Sequence, residues 1–340
     1  MKKKVIALVV TSLIAALTCF AQAQTPPAGN FRFQNIDVPG ASATLVGGIN
    51  NRGQMVGFFR DASKAVHGYF QDGTDIREIT FPNAHKTFPA AINNAGEITG
   101  SYSDGVRFHG FTLERGVFTT VDFPGAAFTN IVDLNDRGDL AGLYEDSSGG
   151  FHGFTLDRNG FTSFDDPAAT FPSPSTQAFG INNRKIVNGA SLDANGNAHG
   201  FVLAHGIFHT IDVPGAVSTA PSGVNDSDVQ VGSYIDQSGA THGYLQRGDQ
   251  FTTFDFPGVS TTLPFQINDP GTIVGLFIDD QGVIHSFLAE QGNGDDYQGE
   301  GDGNASVPLI QQNPGQSCVS TDLAELPLQT RIPKVCTSAN

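Results

Sequence analysis

The sequence predicts an all-β fold, a six-bladed β-propeller of four-stranded blades, and three observations carry that prediction. One pattern recurs six times between Phe31 and Glu290, about every 43 residues, a period at which units of four short strands stack into rings. Each copy reads as short apolar runs separated by Gly, Asn and Asp turns, without the long 3.6-residue stripes of helices. The ends of the array are also complementary: the last copy lacks a fourth strand, and a strand without a partner precedes the first.

The register rests on three residues per copy. Turn asparagines fall at Asn50, Asn93, Asn135, Asn182, Asn225 and Asn268, with spacings of 43, 42, 47, 43 and 43. A threonine precedes each by six positions, as Thr44, Thr87, Thr129, Thr176, Thr219 and Thr262. The histidines His67, His109, His152, His199, His242 and His285 complete the set. Thr80, Asp122, Asp165, Asp212 and Asp255 follow the first five by thirteen positions, and His285 has no such continuation.

In the third copy, Thr129 to Leu134 forms a first strand, and Asn135-Asp136-Arg137-Gly138 reverses it with residues that tolerate positive φ. Asp139 to Tyr144 is a second strand, ended by Asp146-Ser147-Ser148-Gly149. Phe151 to Leu156 is a third, and Phe161 to Phe164 a fourth. At the N-terminal end, Phe31-Arg32-Phe33-Gln34-Asn35-Ile36-Asp37 resembles the fourth-strand segment that starts at Phe251. It is therefore expected to supply the outer strand of blade six and close the ring, which limits exposed edges. The ring, residues 31–290, counts as one domain, preceded by a short linker at 24–30.

The remaining segments read differently. Lys2-Lys3-Lys4, the apolar run Val5 to Phe20 and Ala21-Gln22-Ala23 have the three parts of a secretory signal, with cleavage expected after Ala23. The mature chain is thus expected to be secreted or periplasmic, without a membrane span. Residues 291–305 are rich in Gly, Asp and Glu; Asp295, Asp296, Glu300 and Asp302 lack the ligand spacing of a calcium loop and read as a solvated linker. In the tail, 306–340, Cys318 and Cys336 are expected to pair, which stabilises by about 3 kcal/mol on the chain-entropy model.

Loss of Lys2, Lys3 and Lys4 leaves 15 basic residues against 34 acidic ones. Such a charge excludes nucleic acid as a general partner. Blade connectivity divides the charges further. Arg52, Arg115, Arg137, Arg158, Arg184 and Arg247 fall in turns on one face. Asp61, Asp104, Asp146, Asp193, Asp236 and Asp279, with the repeated histidines, fall on the opposite, loop-bearing face.

Imidazole and carboxylate are ordinary metal ligands, but equivalent residues of different blades are too far apart to share one ion. The repeated His, Asp, Asn and Thr residues are read as ties between loops, and no cofactor is assigned; a divalent metal stays an open alternative. Function is sought where the repeats differ. The segment Asp165 to Asn182 is four residues longer than its counterparts, near Phe171. Blades one and two add Arg60, Lys64, His85, Lys86 and Arg107, a basic cluster suited to an anionic ligand such as an acidic sugar. Asp133 stands where other copies have Gly48, Ala91, Gly180, Gly223 or Gln266. With His85 and Lys86 on the same loop face, it is a candidate for acid/base chemistry.

The recurrent segments Asp212-Val213-Pro214-Gly215, Gly223-Val224-Asn225-Asp226, Val231-Gly232-Ser233-Tyr234 and His242-Gly243-Tyr244 resemble the bacterial extracellular HAF repeat family. The resemblance covers about 260 residues and implies export and a propeller-like array; it carries over no catalytic residues. Thr80 for the loop aspartate, Ser286 for the glycine after histidine, and Lys185 for a turn glycine depart from the pattern. Two functions stay open at this point. One is a secreted binding or surface-interaction module, monomeric, for a protein or polysaccharide. The other is a secreted hydrolase or lyase, metal-dependent or not, with its site at the channel mouth. The first is favoured because G-x-S-x-G, H-E-x-x-H, P-loop and C-x-x-C patterns are absent.

Overall fold

A computed structural model describes residues 26–170 and 175–292. Six four-stranded antiparallel sheets form a closed ring of blades. In blade three the strands are Phe128–Leu134, Leu140–Glu145, Phe151–Asp157 and Gly160–Phe164, running from the axis outwards. Phe31–Asn35 pairs with Ile284–Gln291 as the outer strand of blade six, with Phe33 opposite Ala289. The expected closure is therefore present. The expected signal segment, Phe171, the acidic linker from residue 293 onwards and both tail cysteines lie outside the described residues.

Closure delivers more than a strand. Asp37 follows the closing strand and accepts from the ring Nδ1 of His285 at 2.5 Å, so the aspartate absent after His285 arrives from the other end of the chain. Residues 26–30, expected as a linker, extend the contact. Thr253 N–H donates to the carbonyl of Pro27 at 2.9 Å, and Gly29 N–H donates back to Thr253 at 2.8 Å. This segment covers the outer edge of blade five, whose last strand is Gln250–Phe254.

The core lies between blades. Tyr69, Phe111, Phe154, Phe201, Tyr244 and Phe287 occupy one third-strand position in the six blades, and all are fully buried. Burying each ring stabilises by about 1.5–3 kcal/mol. Near the axis, Leu45, Phe58, Phe88, Leu263, Phe265 and Leu276 join blades six, one and two into one cluster.

Every inner strand carries a register shift at the same place, as between Ile131 and Asp133. Such a bulge bends a strand and re-aims the next side chain. Opposite it the second strand has a glycine in all six blades, and the reason is close approach: a Cβ on Gly142 would lie 2.1 Å from the carbonyl oxygen of Asn130.

Candidate functional site

The two faces of the ring are built from different chemistry. On the turn face, two closed hydrogen-bond circuits surround the axis. The Nδ2 of each turn asparagine donates to the carbonyl of the equivalent asparagine in the next blade, from Asn50 to Asn93 and on until Asn268 returns to Asn50, each at 3.1 Å. The next residue forms the second circuit. The backbone N–H groups of Asn51, Asn94, Asp136, Asn183, Asp226 and Asp269 each donate to the side-chain Oδ1 of the following member, at 2.8–2.9 Å. Sequence reading identified these asparagines as turn residues; their second amide bond crosses blades and follows only from the ring.

The arginines do lie in turns on this face, but it also carries carboxylates. Asp136, Asp226 and Asp269 belong to the axial circuit. Arg184 pairs with Asp228, and Lys185 pairs with Asp157 at 2.7 Å and Asp139 at 3.3 Å.

Asp133 requires a correction. It lies at this turn-face mouth, in an axial cavity of about 60 Å³ lined by the asparagine turns. His85 and Lys86 are at the opposite end. Lys86 begins the inner strand of blade two, five positions before the Asp133 equivalent Ala91, which at about 3.3 Å per residue separates the groups by roughly 16 Å along the axis. The fold therefore does not assemble Asp133, His85 and Lys86. Asp133 is buried and accepts the N–H of Ile181 at 2.8 Å and the Nε2 amide of Gln266 at 2.8 Å. Blades three and six are diametrically opposed, so this pair is a strut across the channel. The small residues at the equivalent positions make room for it: a Cβ on Gly223 would sit 2.5 Å from Gln266 Oε1. Drug-sized ligands occupy about 300 Å³ or more, which the axial cavity does not offer.

On the loop face, each histidine is held between two carboxylates. His109 contacts Asp122 through Nδ1 at 2.8 Å and Asp104 through Nε2 at 3.3 Å. His152 contacts Asp165 and Asp146 at 2.9 and 3.2 Å, and His242 contacts Asp255 and Asp236 at 2.9 and 3.4 Å. Five of the rings also stack on an aromatic of the second strand, as His109 does on Tyr102 with centroids 4.9 Å apart. The expected tie between loops is made in two steps: the imidazole bridges side chains, and the hairpin aspartate passes the link to backbone. Asp61 Oδ1, for example, accepts the N–H groups of Ser63 and Ala65.

These bonds set the charges. The Ser63 hydroxyl, with His67 and two backbone N–H groups, lowers Asp61 to about 2. The N–H groups of Arg107 and Val106 lower Asp104 to about 2. The hydrogen bonds from His67 to Glu78, His199 to Asp212 and His242 to Asp255 raise those imidazoles. The repeated threonines accept the N–H of the incoming loop, as Thr129 does from Phe123 at 3.0 Å.

Each departure from the repeat has a local partner. Where Thr80 replaces aspartate, Glu78 reaches His67 at 3.1 Å and accepts from the Thr80 hydroxyl at 3.1 Å. Ser286 stands at the closing seam, where its Oγ donates to Thr44 O and accepts from Val46 N, both at 2.9 Å. Lys185 has φ of 59° and is ion-paired. Among the described residues no group of three His, Cys, Asp or Glu is placed to hold a metal.

The basic residues gather on the loop face of blades one and two. Arg60 ends a second strand and Lys86 begins the adjacent inner strand, and these two strands pack together. Lys64 occupies the tip of the blade-one hairpin and is exposed. His85 N–H donates to Ser103 O at 2.7 Å, which fixes the exposed His85 beside the blade-two hairpin. Arg107 is exposed and lies 3.6 Å from Asp122. Sequence reading missed an aromatic run next to this cluster: Phe88, Phe108 and Phe128 follow one another at centroid distances of 5.8 Å. The signal is present in the sequence, since Phe108 and Phe128 take positions held by Ala198 and Ser218 in later blades.

The closed ring, inter-blade core and axial strut define the chain as a six-bladed β-propeller. No family model matches the chain, and no curated protein matches it in sequence. Solved propellers share the fold at low identity. The SapL1 lectin in complex with alpha methyl fucoside superposes with a TM-score of 0.53 at 12% identity, over 74% of this chain and 96% of that one. TolB from Acinetobacter baumannii superposes with a TM-score of 0.53 at 13% identity, over 70% of this chain and 64% of that one.

Proposed function

We propose that the chain is an exported carbohydrate-binding module that engages its ligand on the loop face, with the axial channel given over to the scaffold. One observation carries this reading. Among the described residues, the repeated His, Asp, Asn and Thr side chains are occupied in holding loops and blades, whereas the sequence differences not absorbed in that way collect on the loop face of blades one and two. Binding residues are found disproportionately on surface loops positioned by a rigid scaffold. The fold shared with a fucoside-bound lectin supports a sugar as the ligand class, and the signal-like first 23 residues and the HAF-like pattern support export.

The hydrolase or lyase alternative rested on Asp133 acting with His85 and Lys86, which lie at opposite ends of the channel. The test is a panel of immobilised neutral and acidic glycans probed with the mature chain, with chromatography of each glycan after incubation. Saturable binding with unchanged glycan length is expected. Shortened or unsaturated products would overturn the binding-module reading, and capture by a protein ligand with no response to any glycan would overturn the carbohydrate assignment.

A further inference from the structure

The hairpins between second and third strands follow one design in five blades. Aspartate opens the turn, and the residue three positions later adopts the left-handed conformation: Gly149, Gly196, Gly239 and Gly282 have φ between 79° and 87°. Blade one places Lys64 there, at φ 68°. A side chain in this conformation is strained relative to glycine. The other strained turn lysine, Lys185, is held by two carboxylates; Lys64 points its charge from a hairpin tip into solvent. Strain retained at an exposed position directs attention to function.

Blade two departs next to it. Its hairpin, Asp104-Gly105-Val106-Arg107, is one residue shorter than the others. Val106 is 92% exposed. Gly105 has φ of 94°, and a Cβ there would lie 3.0, 3.0 and 3.2 Å from Cε1, Nε2 and Cδ2 of His85. Three ring atoms at nearly equal distance mean that the imidazole lies flat over the glycine. His85 is itself exposed to solvent. Arg107 continues from the same hairpin, with its guanidinium 3.4 Å from Ala126 O and 3.6 Å from Asp122. Arg60 and Lys86 add positive charge to the same sector of an otherwise acidic molecule.

We infer that the hairpin tips of blades one and two form a subsite for an acidic sugar. The outer face of His85 and the Val106 side chain form the platform for the apolar face of a pyranose, and Lys64 and Arg107 are the cations for its carboxylate. Flat ring faces accept the C–H face of a sugar, and an arginine or lysine contributes charge-assisted hydrogen bonds to a carboxylate. This inference rests on the carbohydrate-binding reading and adds the charge of the ligand and its location.

The probe is an oligogalacturonate, titrated into the mature chain by calorimetry at low and physiological salt, with a neutral galactan oligosaccharide and poly-glutamate as comparisons. Lys64→Gly introduces the residue that four sibling blades already use, so it is expected to keep or raise the melting temperature. It is expected to weaken oligogalacturonate binding about threefold to tenfold, and Lys64→Gly with Arg107→Gln about tenfold or more, with a shallower salt dependence. Arg137→Gln on the turn face is expected to leave binding unchanged. Equal binding by wild type and the Lys64 and Arg107 variants would overturn the subsite. Neutral galactan bound as well as oligogalacturonate would overturn the charge assignment and leave a carbohydrate module. Preference for poly-glutamate, or no glycan binding at all, would overturn both readings.

Discussion

Replacing Asp133 with alanine tests whether this residue braces the channel or serves a site. The residue is 2% exposed, and its carboxylate accepts two hydrogen bonds of 2.8 Å, from Ile181 N–H and the Gln266 amide. Its removal leaves the buried Ile181 N–H and the half-buried Gln266 amide without that partner, at about 1–3 kcal/mol for the first and less for the second. The expected loss is about 2–5 kcal/mol. For a ring of this size each kcal/mol moves the melting temperature by about 2–3 °C, so a fall of roughly 4–15 °C is expected by differential scanning calorimetry. Asp133→Asn keeps one acceptor and should fall between. Gln266→Ala in the Asp133→Ala background should cost less than Gln266→Ala alone, with a coupling of about 1–2 kcal/mol. Strict additivity, or a change below about 0.5 kcal/mol, would refute the strut. Unchanged stability with loss of glycan binding or of a turnover reaction would return Asp133 to a functional role.

Three further outcomes follow from the same geometry. Gly142→Ala places a methyl 2.1 Å from Asn130 O and is expected to cost about 3 kcal/mol or more, measured by urea denaturation. Ser286→Ala removes both seam bonds to Thr44 and Val46; a loss of about 1–3 kcal/mol and faster proteolysis at the closing blade are expected, and an unchanged urea midpoint would contradict it. Stability should also depend on pH. His67, His199 and His242 are raised by hydrogen bonds to Glu78, Asp212 and Asp255, and in His285 the bonds to Asp37 and Asp279 outweigh an opposing burial effect. Their folded values exceed the unfolded one, so the stabilisation is complete below about pH 6.5 and is lost as pH rises through the folded values. Asp61 and Asp104, lowered to about 2, give the opposite limb: their contribution is present above about pH 4 and is lost as pH falls towards 2. A melting temperature that declines from pH 6 to 8.5 and again below pH 4 is expected; a flat alkaline limb would exclude the histidine contribution.

The sequence by itself determined the number of blades, the four strands in each and the site of closure, because these depend on local periodicity and turn chemistry repeated six times. It placed Phe31–Asn35 on blade six from the mismatch of the two ends alone. It also identified the turn asparagines, the loop-bonding threonines and the basic residues on one face. Tertiary structure decided what each of these touches. The asparagine circuits, the Asp37–His285 link and the use of Glu78 in place of Thr80 join groups far apart in the chain or displaced from the repeat register. Asp133 is the clearest case: along the chain it is an acid in a row of small residues, and only the bulged inner strands of two opposed blades bring Gln266 within hydrogen-bonding distance. Hydrogen bonds are short and directional, so a repeat period can place residues on a face without specifying their partners. The partners depend on how the blades curve around a common axis.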